Sequence, residues 1–158
     1  EEGVPFTGVL YGGLMKTSQG IKVIEFSARF GDPETEVVLP RLMSDAVDVF
    51  TAVAENNAPE TEWSKEATLG IVLASKGYPG DYAKGFAIRG TERVESKLYH
   101  MGTAMKDGEL VTNGGRVMFV VASASTLREA QQKAREDIAK IECENLFHRT
   151  DIGNKAFK

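Results

Sequence analysis

The sequence predicts an α+β fold built mainly from antiparallel strands. Three observations predict it. Short extended runs occur in pairs, joined by polar, glycine-bearing turns. The dipeptide Asp107-Gly108 and the tripeptide Asn113-Gly114-Gly115 are explicit turn signals between further extended runs. Two segments carry apolar residues at helical spacing behind N-terminal capping residues.

The elements follow in order. Residues 8–16, GVLYGGLMK, read as a strand, residues 16–20 as a turn, and residues 21–26 as the returning strand of a hairpin. Gly12 and Gly13 inside the first strand point to a bulge or to close approach of another chain or ligand, the bulge being favoured. Pro40 interrupts the mostly apolar segment 35–42. Ser44 is the expected N-cap of a helix with Asp45 and Asp48 in its first turn, where the helix dipole favours acids. Ala46, Val49, Phe50, Val53 and Ala54 form its apolar stripe, and the helix ends near Glu55 before Asn56-Asn57-Ala58-Pro59.

The polar stretch 60–66, with the single tryptophan Trp63, is the expected boundary between a module spanning 1–66 and one spanning 67–158. Residues 68–75, TLGIVLAS, read as a buried strand. Residues 76–90 form a glycine-rich loop. Residues 98–106, 109–112 and 116–122 read as a three-stranded meander, the last strand apolar on both faces. Thr126 and Glu129 make a capping box. Leu127, Ala130, Ala134, Ile138 and Ile141 then form one stripe, so the helix is expected to lie over the meander.

Composition narrows the function. The chain has 158 residues, 42% hydrophobic and 27% charged, enough apolar content for a real core. Its net charge of −4 argues against a nucleic-acid surface, which wants clustered Lys and Arg. No apolar run reaches the roughly 20 residues of a membrane span. One cysteine, Cys143, excludes an internal disulfide and fits a reducing compartment; it reads as a small buried hydrophobe. The chain starts at Glu1, not Met, almost directly in an extended run, and is expected to be a piece of a longer protein.

The chemistry concentrates in residues 21–34, IKVIEFSARFGDPE. At a strand's period of two, Ile24, Phe26, Ala28 and Phe30 share one face, which can anchor in a core. Glu25, Ser27 and Arg29 share the other. A carboxylate and a hydroxyl at i and i+2 suit Mg²⁺, which takes hard oxygen ligands and keeps waters or phosphates for the rest. On spacing alone a solvent-facing pair is favoured. Arg29 with Asp32 and Glu34 suits a zwitterion such as an amino acid, since an arginine fork holds a carboxylate or phosphate and an acid receives an ammonium. An Arg29–Asp32 pair bracing the turn at Pro33 fits the residues equally well. The loop KGYPG with Lys84-Gly85 could bring amides to an anion, though a plain surface loop is favoured. His100 and His148 lack ligand spacing. There is no Ser/His/Asp grouping, Walker-type loop or CxxC.

Five segments in order, GVLYGGLM, KVIEFSARFGDPET, LASKGYPGDYAKG, HMGTAMKDGELVTNGGRV and FHRTDIGNKAF, cover nearly the whole chain. Together they resemble the C-terminal part of the phosphoribosylamine–glycine ligase (glycinamide ribonucleotide synthetase) family. The resemblance implies the end of an ATP-grasp domain, here the hairpin and first helix, followed by a small meander-and-helix domain. It implies a cytoplasmic ligase of purine biosynthesis using ATP, glycine and 5-phosphoribosylamine with Mg²⁺ or Mn²⁺, and no nucleic-acid or membrane partner. Glu25 matches the family's metal-binding glutamate. Ser27 stands where the family usually has a metal-binding asparagine, and its hydroxyl is a shorter, poorer ligand. Arg29 and Asp32, as catalytic and substrate-binding groups, and Glu34, as a substrate contact, lie in the segment that lines the substrate side. The lobe that clamps ATP would precede Glu1, so this chain by itself is expected to be inactive. Another ATP-grasp ligase, or a free-standing binding or assembly module without catalysis, are the alternatives; the GYPGDYAKG loop speaks against the first.

Overall fold

A computed structural model describes residues 3–157. The chain forms two compact units, Glu1–Ser64 and Lys65–Lys158. It is mixed α and β, with antiparallel pairing throughout the described strands. Among the described residues, no helix is long and apolar enough to cross a membrane.

In the first unit, β1 (Tyr11–Thr17) and β2 (Gly20–Ser27) form the expected hairpin. Gly20 closes the turn with φ +99°, a region open to glycine, and the Thr17 hydroxyl donates to its carbonyl at 2.8 Å. Gly13 opposes Glu25 and Leu14 opposes Val23, so Ile24 is the extra residue of a bulge where the glycines predicted one. The apolar face does not reach a core. Ile24 is 63% exposed and Phe26 65%. The physical reason is that a two-stranded hairpin supplies no second layer, and none of the unit's apolar side chains among the described residues is fully buried.

The segment after the hairpin winds into α1 (Thr35–Val38) and a 3-10 turn, Leu39–Arg41, with Pro40 at a helical N-terminal position that needs no amide donor. α2 (Ala46–Ala54) follows. Its N-cap is Asp45, one residue later than expected: the carboxylate accepts from the Val47 and Asp48 amides at 2.8 and 3.2 Å. Ser44 is drawn off by a different partner, its hydroxyl accepting from the Glu62 amide at 2.7 Å. Residues 62–64 run back along 41–43, with Leu42 bridged to Trp63. Phe30 packs edge-on against Phe50 with ring centroids 6.3 Å apart.

The second unit holds the core. Its strands are β3 (Ala67–Ser75), β4 (Lys97–His100), β5 (Thr103–Lys106), β6 (Glu109–Thr112), β7 (Arg116–Ala124) and β8 (Leu146–Phe147), with α3 (Leu127–Ile138) between the last two. The main sheet runs β4-β7-β3-β8, and β5-β6 is a separate hairpin. β7 is central, which explains its two apolar faces: residues 117–122 are all buried. Ile71, Leu73, Met118 and Val120 pack with Ala130, Ala134 and Ile138 of α3. Thr126 caps α3 through the expected capping box. Ile141 of the predicted stripe lies beyond the helix end but still packs on the core.

The single run expected over 98–106 divides at Met101-Gly102. Both amides there donate to the Val117 carbonyl at 3.0 Å, which ends β4 and turns the chain. At Gly102 the backbones touch: a Cβ would lie 2.7 Å from the Gly114 Cα and 2.6 Å from the Arg116 carbonyl oxygen. β5 then pairs only with β6, through a turn in which Asp107 and Gly108 both have positive φ, as a two-residue hairpin turn requires. The three strands therefore serve two sheets, because pairing is decided by which backbone lies alongside and not by sequence order.

Candidate functional site

Glu25, Phe26 and Ser27 pair in unbroken register with Gly13, Gly12 and Tyr11, so Glu25 and Ser27 do share a face. Gly13 makes room for the carboxylate: a Cβ there would sit 3.1 Å from the Glu25 Cγ. Glu25 is exposed and Ser27 half-buried. A carboxylate and a hydroxyl two positions apart on one strand are oxygen donors of the type a hard divalent cation takes, with water or phosphate oxygens completing its shell. Among the described residues, no group of three or more His, Cys, Asp and Glu converges as a self-sufficient metal cage.

The turn after β2 places the charged groups. The Arg29 Nη1 donates to the Phe30 carbonyl at 2.9 Å and its side chain is exposed. Gly31 is buried, and the Glu34 carboxylate folds directly over it, so a side chain there would have to displace that carboxylate. The Thr35 amide and hydroxyl both donate to the Gly31 carbonyl, at 2.9 and 2.6 Å. These bonds hold the turn together with the Arg29 bond to the Phe30 carbonyl. Asp32 is exposed and precedes a cis Pro33. Arg29, Asp32 and Glu34 thus lie within one tight turn at the end of the strand that carries Glu25 and Ser27.

The glycine-rich loop of the second unit is more than a surface connection. The Ser75 amide and hydroxyl donate to the Gly115 and Gly114 carbonyls at 2.8 Å each. The Lys76 ammonium donates to the Glu144 carbonyl at 2.6 Å, and the Asn145 amide group to the Ala83 carbonyl at 3.1 Å. The Tyr78 ring occupies the place of a Gly115 side chain, which explains the NGG turn. Ser75, Thr112 and Asn145, three of the buried polar residues, all bond to this loop or its neighbours. The signal was present as glycines in two distant segments, but only contact shows that they serve each other.

His100 bonds Thr103 through Nδ1 at 3.0 Å. Burial, and secondarily the charge of Arg135, lowers the pKa of His148. Cys143 is half-buried and packs against the core, close to the expected role. In the last segment, Arg149 grips Asp151 through two bonds of 2.9 and 2.7 Å. Arg135 and Gln131 of α3 hold the Thr150 and Ile152 carbonyls.

Two family models match this chain. The model for the phosphoribosylglycinamide synthetase C domain matches residues 68–155, and that for the synthetase's ATP-grasp (A) domain matches residues 1–35. The chain is 56% identical over 153 residues to the phosphoribosylamine–glycine ligase of Halalkalibacterium halodurans, covering 96% of this chain and 36% of that protein. It is 45% identical over 161 residues to the same-named ligase of Streptococcus pneumoniae serotype 4, covering 100% of this chain and 38% of that protein. Its fold is similar to the crystal structure of phosphoribosylamine–glycine ligase from Thermotoga maritima, with a TM-score of 0.81, 36% identity, and coverage of 91% of this chain and 36% of the other. The chain thus spans little more than a third of the length of these relatives.

Proposed function

The chain belongs to the phosphoribosylglycinamide synthetase family, and we propose that it is the C-terminal part of an ATP-dependent ligase joining glycine to 5-phosphoribosylamine. The observation that carries the proposal is the order of the two family matches, the ATP-grasp domain over the hairpin and the C domain over the second unit. In this reading residues 1–66 close the ATP-grasp domain and residues 67–158 form the small C-terminal domain.

The proposed reaction has two steps. A glycine carboxylate oxygen attacks the γ-phosphorus of ATP, and ADP leaves. The amine of phosphoribosylamine then attacks the acyl carbon, phosphate leaves with the C–O bond electrons, and the nitrogen gives up one proton to solvent as the amide forms. Both steps gather negative charge on phosphoryl oxygens, and stabilising that charge is mainly electrostatic work. Glu25 and Ser27 would hold Mg²⁺ or Mn²⁺, which when bound supplies positive charge to those oxygens. Ser27, with a short hydroxyl, orients its ligand less firmly than Glu25 does. Arg29 presents a guanidinium suited to the carboxylate or phosphate, and Asp32 an acid suited to the ammonium of glycine. Glu34 contributes through its position over Gly31, where it shapes the turn that presents both. The reading carries with it a cytoplasmic setting, in keeping with the unpaired Cys143.

The test is product formation from ATP, glycine and 5-phosphoribosylamine, measured on the longer ligase chain and on the 158-residue chain. The longer chain is expected to turn over and the shorter one not to. Glu25→Gln in the longer chain is expected to lower kcat about 100-fold, the scale of losing one aimed electrostatic group. ATP consumption that does not depend on glycine, turnover by the short chain, or full activity of Glu25→Gln would each count against the proposal.

A further inference from the structure

A cavity of about 260 Å³ opens at the C-terminal end of α3, outside the proposed ligase groups. Leu73 from β3, Ile138 from α3, and Leu146 and Phe147 from β8 form its apolar wall. Two polar side chains line it, Arg135 and His148, and no carboxylate does. The Arg135 Nη2 donates to the Thr150 carbonyl at 2.6 Å. That bond uses one of the guanidinium's five N–H donors and leaves the others for a further acceptor.

Size and charge together limit the occupant. An apolar cavity of roughly 150 Å³ admits benzene, so this one has room for a single ring with a small head group, and falls just short of the ~300 Å³ where drug-sized sites begin. A wall of aliphatic and aromatic carbon with two cation-forming groups and no acid selects against cations. We propose that this cavity binds a small apolar carboxylate, its ring or chain on the Leu73, Ile138, Leu146 and Phe147 wall and its carboxylate on Arg135 and His148. The bound anion also removes a mismatch. Empty, the site sets the imidazole of His148 in a partly buried place beside a guanidinium, which lowers its pKa. A carboxylate between the two groups neutralises the guanidinium's repulsion and pairs directly with the imidazolium.

This proposal does not rest on the ligase reading and is tested on the 158-residue chain itself. Benzoate is titrated into isotope-labelled protein and followed by amide and imidazole resonances, with benzamide as the uncharged match in shape. Saturable benzoate shifts are expected at Ile138, Leu146, Phe147 and His148, with benzamide about tenfold weaker, the order expected for losing a charge-assisted contact. The His148 titration is expected to move to higher pH with benzoate and to stay in place with benzamide. Arg135→Gln removes the charge; it is expected to weaken benzoate about tenfold while leaving the other resonances dispersed. Equal binding of benzoate and benzamide would reduce the site to an apolar crevice and overturn the proposal, as would shifts that never saturate at millimolar benzoate.

Discussion

Asp137 shows how much one side chain can tie together. It is only 2% exposed, on the face of α3 turned toward the sheet. Its carboxylate accepts from the Ser96 and Glu95 amides at 2.8 and 3.2 Å and from the Lys140 ammonium at 2.8 Å. Burial alone would raise its pKa, but these donors outweigh burial and hold the carboxyl well below the usual range. The folded state therefore favours the ionised form more than the unfolded chain does. That stability is fully present above about pH 4 and drains away as the pH falls further. Asp137→Asn is expected to cost roughly 2–3 kcal/mol at pH 7, the scale of charged hydrogen bonds left unmade. Urea denaturation should show the gap between variant and parent closing as the pH drops from 4 toward 2; a gap independent of pH would disprove the ionic role. In the sequence Asp137 is an ordinary polar residue near a helix end, since two of its partners lie more than 40 positions away.

Elements differ in how local their causes are. The capping box at Thr126, the left-handed pair Asp107-Gly108 and the bulge at Gly13 are all legible in the chain, because the groups that cause them are a few residues apart or are glycines with no other use. Asp45 displaced Ser44 as cap because Ser44 had a partner 18 residues downstream, which no local pattern reveals. The division of 98–106 between two sheets is likewise a tertiary decision, made where Gly102 meets Gly114 and Arg116. Backbone atoms cannot swing aside as a side chain can. Gly102→Ala is thus expected to cost about 1–3 kcal/mol, at the level of overpacking a tight site. Thr126→Ala, which removes one cap acceptor, should cost about 1 kcal/mol. Hydrogen exchange separates them further: Gly102→Ala should speed exchange in β5 and β6, and Thr126→Ala at the start of α3. Identical patterns would argue against a local joint at Gly102.

At the scale of the molecule the two units have different resources. The second has a sheet, a helix across it and a continuous core; among the described residues, the first keeps Ile21, Ile24 and Phe26 open to solvent. Apolar burial is what offsets the entropy of ordering the chain. Residues 65–158 expressed alone are therefore expected to melt cooperatively, and residues 1–64 alone to show no cooperative transition by circular dichroism; the reverse would refute a core confined to the second unit. The sequence alone determined the α+β class, the hairpin, both main helices and the family, and it singled out Glu25, Ser27, Arg29, Asp32 and Glu34, because periodicity, capping and motif order are properties of neighbours along the chain. Only tertiary structure decided which strands share a sheet, that Tyr78 sits on Gly115, and that Asp137 ties α3 to the Glu95 and Ser96 amides. Those outcomes depend on groups far apart in sequence meeting at contact distance, and a one-dimensional pattern carries no record of such meetings until the backbone has folded.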